Sequence, residues 1–196
     1  MKQAQDLRWK VLDSKIAFKD RWLTVRADTC QMPNGNIIDP YYVIDYPNWV
    51  TVVAITEEGQ VVLSRQYRHG RQVIVEELPS GTAEPTDDGP EMTVRRELLE
   101  ETGYAFSEVY EVATISPNPS NHSNHCTCFL ALGGKRVDEQ HLDPAEQIDV
   151  ILIEMQEFLE RLHQNKFLQA MHVTCAFYAL QKLRKIHPDL LPKQII

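Results

Sequence analysis

The chain alternates short apolar runs with polar breaks, and the breaks carry turn residues. Over residues 9–32 apolar and polar positions alternate loosely, and two short strands are predicted there. Pro33-Asn34-Gly35-Asn36 comes next; Asn-Gly supports positive φ, so a hairpin turn is expected before a return strand over 37–46. Residues 50–56 and 60–66 flank Glu57-Glu58-Gly59 and predict a second hairpin. Further strands are predicted over 73–78, 107–116, 126–132 and 149–154.

Helical patterns cover residues 90–102, 155–164 and 166–186. The first opens at Pro90 and closes at Gly103, the usual placing of proline and glycine at helix ends. In the last, Leu168, Met171, Cys175 and Tyr178 fall on one stripe expected to face the core, while Lys182, Arg184 and Lys185 suit the negative end of the helix dipole. Strands, a helix, more strands and then helices predict an α/β fold: a mixed sheet between helices, with a small antiparallel sheet at the N-terminus. Two segments are expected, an N-terminal β segment over 1–47 and the main domain over 48–196.

Composition narrows the classes of function. At 196 residues, 43% hydrophobic and 24% charged, the chain suits one globular domain with a full core and a small appendage. A net charge of −8 argues against a nucleic acid held on a basic surface. It leaves room for a phosphate-bearing substrate, because a bound cation reverses the local sign. The opening MKQAQDLRWK has no apolar core, so no signal peptide is expected, and no apolar run approaches membrane-spanning length. Four cysteines without a CxxC pair suggest reduced thiols in a cytoplasmic protein.

The candidate chemistry lies in Arg96-Glu97-Leu98-Leu99-Glu100-Glu101-Thr102-Gly103. On a helix, Glu97, Glu100 and Glu101 stand at i, i+3 and i+4, so their carboxylates share a face and repel by about 0.2–0.5 kcal/mol per pair. A hard divalent cation, Mg2+ or Mn2+, would offset that repulsion with oxygen ligands and bridge to a substrate's phosphates. A solvated acidic face with an ordinary Arg96–Glu100 ion pair is the plain alternative. The turn Pro79-Ser80-Gly81 and the acidic loop before the helix set this run apart, because loop and helix together offer carbonyls and carboxylates to one cluster.

These residues resemble the Nudix box, and from Arg96 to Tyr104 the correspondence is complete with Tyr104 taken as apolar. Ahead of the helix the loop is one residue longer than the pattern: five residues separate Gly81 from Asp87 and eight separate Asp87 from Arg96, and the acid is Asp rather than Glu. Asp88 is an equal candidate for that slot. Arg65-Gln66-Tyr67-Arg68, Glu77-Leu78-Pro79-Ser80-Gly81 and residues 22–59 are similar to the ADP-ribose pyrophosphatase branch of Nudix hydrolases, and the likeness runs over about 9–185. It implies an α/β/α sandwich. It also implies metal-dependent hydrolysis of the diphosphate bond of a nucleoside diphosphate sugar, ADP-ribose or an ADP-sugar, to AMP and a sugar phosphate. UDP- or GDP-sugars are the alternative substrates, and a non-catalytic nucleotide-sensing module is the alternative class. The intact Arg96, Glu97, Glu100 and Glu101 weigh against the sensor.

The resemblance also assigns roles. Glu97 and Glu101 would hold the metal, Glu100 would be a third ligand or bridging group, and the Ser80 carbonyl would face the ion. Arg96 would orient a box carboxylate through a charge-assisted hydrogen bond. In the loop over 141–149, Glu146 would act as general base or extra ligand, with Asp143 next. Arg68 would clamp the diphosphate and Glu77 would stand near the ribose. Trp9, Tyr41 and Trp49 are candidates to stack on the base, although aromatics at such positions are more often core or dimer contacts. The loop over 116–125 has no acid, which makes it a poor hard-metal site. Its amides, those of Asn121 and Asn124 among them, suit a sugar or phosphate. His122, His125, Cys126 and Cys128 have no tetrahedral zinc spacing, and the cysteines read as one face of a strand. The resemblance further implies a homodimer whose N-terminal segment crosses to the partner.

Overall fold

The computed structural model describes residues 6–192, which fall into two compact units. One contains residues up to 47 together with 116–124, and the other 48–115 together with the chain from 125 onward.

In the first unit, β1 (Lys10–Lys19), β2 (Thr24–Gln31) and β3 (Ile37–Asp45) form an antiparallel sheet in chain order, as the alternation predicts. The Asn-Gly turn does what its chemistry allows: Gly35 takes φ 89, and the Asn36 amide donates to Asn34 Oδ1 at 3.0 Å. Asp28 is buried on the central strand and accepts from Ser14 Oγ at 2.5 Å and Arg26 Nη1 at 2.6 Å. The segment 116–124 joins this unit through main-chain bonds between Ile44 and residues 121 and 123. Every position of β1 is exposed, including Val11, Leu12, Ile16 and Phe18.

The second unit holds β4 (Trp49–Thr56), β5 (Gln60–Arg68), β6 (Val73–Glu77), β7 (Ser80–Thr82), α1 (Pro90–Thr102), β8 (Tyr104–Ile115), β9 (Cys126–Arg136), β10 (Ile148–Glu154), α2 (Met155–His163) and α3 (Ala170–Ile186). The sheet order is β10-β5-β4-β9-β8, with β6 on β5 and β7 on β4. β4 and β9 run parallel and the other pairs antiparallel, so the sheet is mixed. Its strands bury both faces. Val50, Val52, Ala54, Phe129 and Ala131 pack with Val94 and Leu98 of α1. Val53, Ile55, Leu130 and Cys128 pack with Phe158 of α2 and Cys175, Ala176, Ala179 and Leu183 of α3. A helix on one face and two on the other make the sandwich.

Four elements differ from the sequence expectation. β7 was not anticipated, because Ser80-Gly81-Thr82 has no apolar period and is extended only through pairing with β4. β8 and β9 run past their apolar stretches, paired out to Tyr104 and Arg136. α3 starts at Ala170, and its buried face is His172, Cys175, Ala176, Ala179 and Leu183. Of the expected stripe only Cys175 is buried, whereas Leu168 and Tyr178 are 52% and 40% exposed. The small Ala176 and Ala179 let the helix lie close to the sheet and turn the larger residues outward. Among the described residues no helix is long and apolar enough to cross a membrane. All four cysteines are buried and unbridged.

Candidate active site

The site is built where β7 passes under α1. The Val52 amide donates to the Pro79 carbonyl at 3.1 Å and Thr51 pairs with Ser80, which fixes the turn before β7 against the central strand. α1 is anchored by Val94 and Leu98 in the core. It stops at Gly103, whose φ of 74 lets its amide return to Leu99 O at 2.8 Å; a Cβ there would collide with the Asp138 carbonyl. With that face buried, Glu97 and Glu101 turn toward β7. The Thr82 amide donates to Glu97 Oε1 at 3.0 Å, and the Ser80 amide donates to the Glu101 carboxylate. Ser64 Oγ lies 3.4 Å from Glu101 Oε2. The end of the Glu97 side chain occupies the space a Cβ at Gly81 would take, so a larger residue there would displace that carboxylate.

Burial outweighs the positive charge within reach of these carboxylates. Burial, the nearby Glu97 and then Glu146 push the Glu101 carboxyl up to about 8, against the Ser80 amide and Arg68. Burial pushes Glu97 up to about 7, against Arg96 and the Thr82 amide. Glu97 and Glu146 are therefore each within electrostatic reach of Glu101.

Arg96 ties the acidic loop to the helix. It donates to Glu100 at 2.9 Å, to the Thr82 carbonyl at 3.0 Å and to Asp87 at 3.0 and 3.2 Å, and it stands 3.2 Å from Glu97. Asp87 also accepts from Thr93 Oγ1 and the Glu84 amide, each at 2.9 Å. The Arg96 guanidinium holds its carboxyl well below the usual carboxylate range. Asp87 rather than Asp88 thus takes the slot opposite the helix, and a turn from Glu84 to Asp87 accommodates the extra loop residue. Glu100 faces Arg96, and its carbonyl accepts from the His141 amide at 2.9 Å. Glu146 is exposed in a turn with Asp143, whose amide donates to Glu146 Oε2 at 3.1 Å.

Arg68, at the end of β5, donates to Glu77 Oε1 from Nε at 2.8 Å and from Nη2 at 2.5 Å. Glu77 is buried, and that burial raises its carboxyl above the ordinary range against the pull of Arg68. Its carboxylate, which the resemblance places beside a ribose, is engaged by arginine. Behind it stands His172 of α3, 3.9 Å from Glu77 Oε2. Sequence reasoning missed His172; a single histidine in an apolar helix carries no periodic signal.

The other candidates gather in the first unit. The Trp9 and Tyr41 rings meet edge-on at 5.6 Å, and the Tyr41 hydroxyl donates to the Ser120 carbonyl. Asn124 Nδ2 donates to the Pro47 carbonyl at 2.9 Å, while Oδ1 of Asn121 and of Asn124 is buried without a hydrogen-bond partner. Trp49 lies on β4 in the second unit. The structure thus brings together Arg68, Glu77, Ser80, Arg96, Glu97, Glu100, Glu101 and Glu146 in one unit, and Trp9, Tyr41, Asn121 and Asn124 in the other. A cavity of about 760 Å3 between β6 and α2 is lined by Ile74, Arg161 and Phe167 and includes none of the box carboxylates.

Among the described residues, no three His, Cys, Asp or Glu side chains are placed to hold an ion as they stand. The donor chemistry nevertheless fits a hard cation. Two carboxylates on successive helical turns, Glu101 buried and Glu97 largely so, both held toward protonation by that burial, are the groups that a divalent ion would ionise. Cys126 and Cys128 are both buried on β9.

Comparison with known proteins agrees with this construction. Residues 9–44 match the nucleoside diphosphate sugar hydrolase N-terminal domain, and residues 45–171 match the NUDIX domain. The chain is 27% identical over 170 residues to a methanol dehydrogenase activator of Bacillus methanolicus, covering 86% of this chain and 91% of that protein. It is 25% identical to an ADP-ribose pyrophosphatase of Bacillus subtilis (strain 168), covering 92% and 95%. A crystal structure of an ADP compounds hydrolase superimposes with a TM-score of 0.82 at 20% identity, covering 94% and 99%, and shares the fold.

Proposed function

Because the chain belongs to the NUDIX hydrolase family, we propose that it hydrolyses the diphosphate bond of ADP-ribose or an ADP-sugar, releasing AMP and a sugar phosphate. The observation that carries this reading is the pair Glu97 and Glu101, shielded from solvent, repelling each other and turned toward β7, where Arg96 beside Glu97 does not offset the cost of burial. The similarity to an ADP-ribose pyrophosphatase over nearly the whole of both chains favours the ADP class.

The chain's own residues divide the work. Glu97 and Glu101 would hold Mg2+ or Mn2+, with the Ser80 carbonyl and Glu100 close by. When bound, the ion would neutralise phosphate charge and supply an acidified water. Arg68 is half exposed and anchored on one side by Glu77, so its remaining N–H groups can meet a diphosphate. Arg96 orients Glu97 and Glu100 from the loop side. Glu146 sits within electrostatic reach of Glu101 on an exposed turn; released from the Asp143 amide, it is the candidate to accept a proton from water. Trp9, Tyr41, Asn121 and Asn124 supply aromatic and amide groups for a base and sugar.

The test is a panel of ADP-, UDP- and GDP-sugars incubated with Mg2+ or Mn2+, with released phosphate monoester measured. Turnover of the ADP members at least about tenfold faster than the others is expected, and equal rates across bases would remove the ADP assignment. Saturable binding of one nucleotide with no turnover of any would turn the reading to a sensor.

A homodimer belongs to the same proposal. The exposed β1 displays the apolar side chains of Val11, Leu12, Ile16 and Phe18, which a second copy would cover. Light scattering is expected to give twice the 22.6 kDa chain mass, and a monomer at micromolar concentration would sink the idea. Four unbridged thiols suit the cytoplasm, where we place the enzyme.

A further inference from the structure

We infer that His172 is a positioning residue: it supports Glu77 from behind, so that Glu77 holds the Arg68 guanidinium ready for a diphosphate. The inference rests on the proposed role of Arg68 as the phosphate clamp.

His172 is 1% exposed on a face of α3 that is otherwise small and apolar, made of Cys175, Ala176 and Ala179. Neither of its ring nitrogens has a hydrogen-bond partner. An apolar residue would fill the space without two orphaned polar atoms, so the imidazole sits there at a cost in stability. The charged group it meets is Glu77, whose Oε2 lies 3.9 Å from Nδ1. The other oxygen, Oε1, is taken by Arg68 from two nitrogens, and the Gln66 side chain adds a further bond to the carboxylate. His172, Glu77 and Arg68 therefore form a line from the core to the surface.

Burial, with the Arg68 charge nearby, keeps the imidazole neutral. A neutral imidazole carries one N–H, and placing it on Nδ1 aims it at Glu77 Oε2. The present separation exceeds hydrogen-bond length. Anion binding gives a reason to close it. Once Arg68 shares its charge with a phosphate, Glu77 keeps more of its own uncompensated, and the Nδ1–H becomes a better partner. A carboxylate backed by a fixed donor holds an arginine in one orientation, which lowers the entropy lost when substrate binds.

Replacing His172 by Phe keeps an aromatic ring, somewhat larger than imidazole, and removes both nitrogens. The expected result is a KM raised about tenfold, as for partners one shell removed from a ligand, with kcat within about twofold. Replacing it by Asn returns an N–H near the Nδ1 position and should recover most of that loss. In Arg68→Ala the further change His172→Phe should add nothing, because both act on one clamp. A packing role predicts neither the recovery by Asn nor the lack of additivity. An unchanged KM in His172→Phe, or additive effects, would overturn the proposal. Two measurements need no turnover and keep it testable if the chain hydrolyses no sugar nucleotide. Imidazole 15N shifts of the unmodified protein should show the His172 proton on Nδ1 between pH 6 and 8, and a proton on Nε2 would refute it. Calorimetry with inorganic pyrophosphate should show about tenfold weaker binding in His172→Phe, and equal affinity would refute it as well.

Discussion

Replacing Glu101 by Gln is expected to abolish most turnover and, at the same time, to stabilise the metal-free protein. The two effects have one cause. Burial and the neighbouring Glu97 and Glu146 hold the Glu101 carboxyl near 8, well above its value of about 4.5 in an unfolded chain. The folded state therefore holds the proton more tightly. That contributes stability which is full below pH 4.5 and lost as the pH climbs toward 8. Above pH 8 the metal-free fold carries a buried charge that the Ser80 amide and the more distant Arg68 do not fully offset. Glutamine keeps the shape and the Ser80 amide contact without that charge, so Glu101→Gln should gain about 2–3 kcal/mol in metal-free unfolding at pH 8, at roughly 1.4 kcal/mol per pKa unit and with part absorbed by relaxation. At pH 4.5 the two proteins should melt alike. Turnover should fall by about 100- to 1000-fold, because a charged ligand to the metal is worth several kcal/mol in the transition state. Denaturant melts at pH 4.5 and 8 in chelator, with kcat measured beside them, decide the matter. A variant less stable than the parent at pH 8, or fully active, would remove Glu101 from the centre.

Arg96→Ala should cost both stability and rate. The guanidinium bonds at once to Asp87, Glu100 and the Thr82 carbonyl and lies against Glu97. The Asp87 side chain is 3% exposed and Glu97 is largely buried, so removing the arginine leaves two carboxylates without a counter-charge. Breaking such a pair from one side typically costs about 3 kcal/mol. The pH dependence runs opposite to that of Glu101. Asp87 is held below its unfolded value, so its contribution is present above about pH 4 and is lost as the pH falls through the folded value. The gap between parent and Arg96→Ala should therefore be widest at neutral pH and close on acidification. Turnover should drop about 10- to 100-fold with Glu97 misoriented, and Arg96→Lys should recover little, since a lysine cannot reach Asp87 and Glu100 together. A variant with parental melting and rate would reduce Arg96 to a surface ion pair.

Much of this was written in local chemistry. The helix over 90–102 was bounded by Pro90 and Gly103, and those bounds hold because both residues act on their own backbone. The Asn34-Gly35 hairpin and the central strands were legible for the same reason: turn conformation and two-sided burial are recorded within a few residues. The box glutamates were legible too, as a spacing on one helix.

What the chain order could not record is which groups from distant segments meet. Asp87 and Asp88 were equal candidates until the loop closed on Arg96. Folding brings Glu77 to Arg68 on the neighbouring strand and sets His172, 95 residues later in the chain, behind it. The face that α3 buries was decided by how closely Ala176 and Ala179 approach the sheet, not by the helical period alone. Local sequence sets backbone preference and the spacing of like side chains along one element. Pairing across elements depends on the packing that sums all of them, so the partners of each carboxylate, and the shift each partner imposes, exist only once the tertiary structure has formed.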